Sequence, residues 1–172
     1  MKRILLPLLI CTAMAAKAQG PCTINPVYRQ FDFWIGEWEA YGPKGNKAGD
    51  SKMSFILDSC IVLEEWTSAG KSRGITYAGK SFNTYNAQTG QWQQTWVDNV
   101  GGTTAYTKGK FHNNVMLFET EPLVISKDSV VIKKMSFFSL EKDKVRQLAE
   151  ISGDNGKSWR VQVDLEYRRK KL

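Results

Sequence analysis

The chain has 172 residues, of which 42% are hydrophobic, 24% charged and 12% aromatic, and its net charge is +7 at neutral pH. That is the length of one domain and the composition of a globular chain, so an intrinsically disordered protein and a bundle of membrane helices are both excluded. One His against six Trp argues against a His-rich metal centre or a His-based catalytic triad.

The chain opens with Lys2 and Arg3, followed by an apolar run over Ile4–Ala16 and an A-x-A cleavage site at Ala16-Lys17-Ala18. This is the layout of a secretory signal peptide over residues 1–18, and the run is too short to span a bilayer comfortably. Lipoprotein processing at Cys11 would need a small residue before it, and Ile10 stands there. Cleavage removes Lys2, Arg3 and Lys17, so the mature chain 19–172 has 154 residues and its net charge falls from +7 to +4. A secreted or periplasmic protein with no transmembrane segment after cleavage is expected. Cys22 and Cys60 remain, and an oxidising compartment favours a disulfide between them. The other reading of Cys60 is a buried small apolar residue.

Next comes a lead-in from Cys22 to Ile35, flanked and interrupted by Pro21 and Pro26, with room for one short helical turn. After it, no segment has a long 3.6-residue apolar period, and period-two alternation recurs instead. Trp159, Val161, Val163, Leu165 and Tyr167 alternate with Arg160, Gln162, Asp164, Glu166 and Arg168. Trp92, Gln94, Trp96 and Asp98 alternate with Gln91, Gln93, Thr95 and Val97. Turn signals fall at Gly42–Asn46, Thr89-Gly90, Asn99–Gly102, His112–Asn114, Ser126–Asp128 and Gly153–Gly156. Between them the sequence predicts strands over 36–41, 50–57, 60–67, 73–84, 91–98, 103–111, 115–121, 130–139, 144–152 and 158–168. Short connections favour antiparallel hairpins, and closure hides the edges of so many strands. The predicted fold is all-β, a single antiparallel up-and-down barrel of about ten strands. A β-sandwich is the competing arrangement.

Gly36-x-Trp38, at the start of the first strand, resembles the G-x-W opening of lipocalin-type barrels, the calycin group. That resemblance implies structural roles for Gly36 and Trp38. The Trp would plug one end of the barrel, and a basic residue from a late strand would lie across its ring. Arg146 is the candidate, with Arg160 and Arg168 behind it. The wider set "FDFWIGEWE", "CIVLEEW", "SFNTYNAQTGQWQQTWVDNVG" and "VRQLAEISGDNGKSW" followed by "VDLEY" is similar to a family of uncharacterised bacterial exported proteins with calycin-like barrels, a domain of unknown function. The similarity runs from about Phe31 to Tyr167. It implies a lipocalin or fatty-acid-binding-protein-like fold, an exported location and a small-molecule cavity, and it brings no catalytic residues.

A binding cavity needs mostly apolar walls with a few placed polar groups. Trp34, Trp66, Trp92 and Trp96 would supply walls, and Gln94, Asp98 and Arg146 would orient a ligand. Asn83 and Tyr85 share one side of the preceding strand and could line the same wall. The expected partner is a small, partly hydrophobic molecule; no cofactor and no nucleic acid are expected. Two other readings stay open. The Trp residues could simply fill the barrel, leaving an interaction or envelope-structural role. Alternatively, Glu64, on the side of Val62 and Trp66, could join Asp98 in acid–base hydrolysis or isomerisation, although a Glu64 carboxylate paired with Arg146 or exposed is the plainer expectation. His112 has no second ligand that would suggest haem. Gly90-x-Trp92 and Gly156-x-x-Trp159 read as aromatics covering a glycine at the start of a strand. The basic run Arg168–Lys171 reads as a solvated tail or as a site for an anionic partner.

Overall fold

The structure is a computed structural model that describes residues 20–127 and 129–171. The predicted signal peptide over residues 1–18 lies outside the described residues. Pro21 and Pro26 each open a short helical piece, where a fixed φ is compatible and the missing N–H is not needed. These pieces are α1 (Pro21–Ile24) and a 3-10 turn at Pro26–Arg29, and a second 3-10 turn follows at Asp32–Trp34.

Eleven strands follow: β1 (Gly36–Tyr41), β2 (Lys47–Ile56), β3 (Ile61–Ser72), β4 (Ile75–Asn86), β5 (Gln91–Asp98), β6 (Thr103–His112), β7 (Val115–Glu119), β8 (Leu123–Ser126), β9 (Ser129–Glu141), β10 (Lys144–Ser152) and β11 (Arg160–Arg169). All pairings between them are antiparallel. Strand β7 pairs with β9, and β11 returns to β1 with Trp38 opposite Arg169 and Ala40 opposite Tyr167. Ten strands therefore close into an up-and-down barrel, and β8 is an extra strand on β9. The predicted barrel is the observed fold, and a sandwich is not formed. Strand β8 was not legible because Leu123, Val124 and Ile125 are all exposed, so it has no alternation to read. Strand β3 runs on to Ser72 and β4 is shifted two residues later than expected, because the hairpin turns at Arg73 and Gly74, both with positive φ.

Turns alternate between the two ends of such a barrel, and the lead-in segment closes one end. Phe31 and Trp34 are fully buried there. Trp34 stacks on Trp38 with ring centroids 5.3 Å apart and meets Tyr167 edge-on at 4.7 Å. Burying side chains of this size contributes about 2–3 kcal/mol each. A Cys22–Cys60 disulfide ties the lead-in to the β2–β3 turn. Arg29 Nη2 donates to the Ser59 carbonyl of that turn at 2.8 Å.

The guanidinium over Trp38 belongs to Arg169, with its carbon 4.2 Å from the ring centroid. Arg169 also donates to the Ile35 carbonyl at 2.8 Å and pairs with Asp143 at 2.8 Å. This corrects the assignment of Arg146. Arg146 is on the outer face of β10, where it forms a two-pronged pair with Asp164 at 2.8 Å. Gly36 sits at φ +136°, and a Cβ there would collide with Arg169 Nη1. The glycine of G-x-W is thus the space through which the arginine reaches the plug.

Candidate functional site: a cavity at the open end

The opposite end holds a cavity of about 720 Å³. Strand β1 pairs with β11 only from Glu166 to Arg169, which leaves Arg160–Leu165 without a partner on that side. The β1–β2 hairpin borders the cavity at this gap through Gly42, Pro43 and Lys44. Val161 and Val163 line the same opening and are 52% and 37% exposed.

One wall is aromatic. Trp66 on β3, Tyr77 on β4 and Trp96 on β5 are consecutive, with centroids 5.7 Å and 6.4 Å apart. Gly79 makes the wall possible. It stands opposite Trp66 in the β3–β4 register, and a Cβ there would collide with the Trp96 ring. Trp96 Nε1 donates to the Tyr77 hydroxyl at 3.2 Å, and that hydroxyl donates to Asp98 Oδ2 at 2.9 Å. Asp98 also accepts from the Gly102 N–H at 2.7 Å and the Val100 N–H at 3.0 Å. Those contacts, the Gly102 bond first, hold its carboxyl below the usual range.

The floor is a polar ladder across four strands. Gln94 Nε2 donates to Asn83 Oδ1 at 2.7 Å. Asn83 Nδ2 donates to Ser81 Oγ at 3.0 Å and to the Val62 carbonyl at 3.0 Å. Ser81 Oγ donates to Glu64 Oε2 at 2.8 Å, and Ser51 Oγ to Glu64 Oε1 at 3.3 Å. Glu64 is 3% exposed. Its two serine contacts only partly offset the burial, which pushes its pKa up to about 7. On the far wall, Tyr167 donates to Gln147 Oε1 at 2.7 Å, and Tyr106, on β6, has its pKa pushed up to about 12 by burial.

Of the residues predicted from sequence, Trp66, Gln94 and Trp96 line the cavity. Asn83 lies beneath it and fixes the Gln94 amide. Asp98 braces the aromatic wall through Tyr77 and Trp96. Trp34, Tyr85 and Trp92 face inward but belong to the plugged end. Trp92 packs between Phe31 at 5.9 Å and Tyr85 at 6.1 Å, and donates to Gln30 Oε1 at 2.9 Å. Alternation tells inside from outside, but not height along the barrel axis. Arg146 does not reach the interior, and Glu64 is not paired with it.

Tyr77, Tyr106, Gln147 and Tyr167 line the cavity and were absent from the predicted set. Tyr77 had a readable signal, because it shares the parity of Asn83 and Tyr85 on one long strand. Trp159 folds back on Gly156, donating to its carbonyl at 3.1 Å. Within the basic run Arg168 pairs with Glu166, Arg169 with Asp143 and Lys170 with Asp50, while Lys171 is exposed past the end of β11.

Among the described residues, no cluster of three or more His, Cys, Asp or Glu side chains is placed to hold a metal. No helix among them is long and apolar enough to cross a membrane. The chain matches no protein-family model, and a search of the curated proteins finds no match to it either.

Proposed function

We propose that this is an exported β-barrel that binds a small, partly hydrophobic molecule inside its open end. The cavity carries the reading: about 720 Å³ falls within the roughly 300–1,000 Å³ typical of ligand sites. Its walls are indole, phenol and aliphatic surface, and its polar groups are few and held in place. Burial of ligand apolar surface would contribute about 25 cal/mol per Å², with Gln94 and Glu64 setting orientation. The resemblance to calycin-like exported proteins points the same way. Export is supported by the disulfide together with the signal-peptide layout of the first eighteen residues.

A catalytic reading has one observation in its favour. The carboxyls of Glu64 and Asp98 are pushed in opposite directions, as acid–base pairs require. Asp98, however, already accepts from two backbone N–H groups and the Tyr77 hydroxyl, which suits a brace better than a proton shuttle. Native mass spectrometry of the protein purified from its source tests the binding reading. A bound mass that denaturation releases is expected, and the emptied protein should take up neutral Nile red at one per chain. An empty protein that ignores Nile red would overturn it.

A further inference from the structure

Glu64 is a buried carboxyl without a counter-ion. Its hydrogen bonds come from Ser51 and Ser81, and no Lys, Arg or His among the described residues forms an ion pair with it. The other charged residues at the cavity cannot serve. Lys44 is on the exposed β1–β2 hairpin, Lys133 is turned to Thr104 Oγ1 at 3.5 Å, and Asp164 is already locked to Arg146. A buried anion is costly unless something positive comes to it.

The surroundings of Glu64 suit a cation in a second way. Trp66 lies against Gly49 and Trp96 against Gly79. One face of each indole therefore rests on backbone and the other is turned to the cavity both line. Tyr77 stands between them. Aromatic faces attract an ammonium group within about 6 Å of the ring centroid, most strongly where water is excluded. Lys133 reaches the lining at Thr104, to which its Nζ donates at 3.5 Å, but it does not pair with Glu64, so a carboxylate beside Glu64 would meet like charge.

We propose that the cavity takes an organic cation, a protonated amine carrying an apolar body, whose ammonium group docks on Glu64 and whose body lies along Trp66, Tyr77 and Trp96. This rests on the binding reading above and adds the charge of the ligand.

Three probes with one shared ten-carbon phenylalkyl skeleton separate the two claims: 4-phenylbutylamine, 4-phenylbutanol and 4-phenylbutyrate. Each is titrated calorimetrically into the full oxidised chain at about pH 8, where an unpaired Glu64 carboxyl is largely ionised. The amine is expected to bind at least tenfold more tightly than the alcohol, and the butyrate more weakly than either. In Glu64→Gln, the amine should fall to within twofold of the alcohol while the alcohol keeps its own affinity. Equal binding of amine and alcohol, or tightest binding of the butyrate, would overturn the charge assignment and leave the binding reading standing. Binding of none of the three at millimolar concentration would overturn both. The ranking in the unmodified protein decides the matter even if Glu64→Gln fails to fold.

Discussion

At Glu64 a carboxyl sits in the barrel interior with two serine hydroxyls and, among the described residues, no ion-pair partner. Burial raises its pKa to about 7, against 4.5 for an unburied glutamate. The folded chain therefore holds a proton that the unfolded chain releases at lower pH. The stability this adds is complete below about pH 4.5 and is lost as pH rises through about 7, a change of roughly 3 kcal/mol. The other titratable groups facing Glu64 are the phenols of Tyr77 on β4 and Tyr167 on β11. Both are raised above the usual phenol range, so they stay neutral throughout that window. Urea unfolding between pH 4.5 and 8 should show native stability falling across it and a flatter profile for Glu64→Gln. Equal slopes for the two proteins would show that Glu64 is not the group titrating.

Strand β11 does two jobs along its length. Its last turn closes the barrel against β1 and delivers Arg169 to the plug. Its first half leaves one edge unpaired beside the cavity. The predicted alternation ends at Arg168, one residue short of Arg169. Continued one step along the same face, from Leu165 and Tyr167, it reaches Arg169. Arg168, facing outward, lies 4.3 Å over the Tyr41 ring instead. The two arginines confused at the sequence level should behave differently on replacement. Arg169→Met removes a ring contact and hydrogen bonds to Ile35, Lys142 and Asp143, and should lower unfolding free energy by about 2–3 kcal/mol. Arg146→Met breaks one half-exposed ion pair and should cost less than about 1 kcal/mol. Denaturant midpoints of the two variants measure the difference, and similar losses would contradict it.

Over the whole molecule, one end is built for stability and the other for access. The plugged end concentrates Phe31, Trp34 and Trp38 with the disulfide. That disulfide also holds the β2–β3 turn, where Leu57, Asp58 and Ser59 all have positive φ, a conformation that side chains disfavour. Cys22 and Cys60 are 38 residues apart, and cross-linking over that span is worth roughly 4 kcal/mol through the unfolded chain. The double variant Cys22→Ala, Cys60→Ala should melt well below the oxidised protein and keep its far-ultraviolet circular dichroism. An unchanged melting temperature would mean that the lead-in holds without the link.

The sequence by itself determined the fold class, the strand count of the barrel to within its one extra strand, and the inward side of most strands. Those follow from a period of two and from turn chemistry, both local. It also named Trp66, Gln94 and Trp96, which do line the cavity. Tertiary structure alone decided which inward residues meet the plug and which meet open space. Height in a barrel depends on strand stagger and on where the lead-in segment crosses, and neither is written in any one strand. The same reason explains Glu64. Among the described residues no arginine pairs with it, which follows from how ten strands close together, so its raised pKa could not be read from its neighbours in the chain.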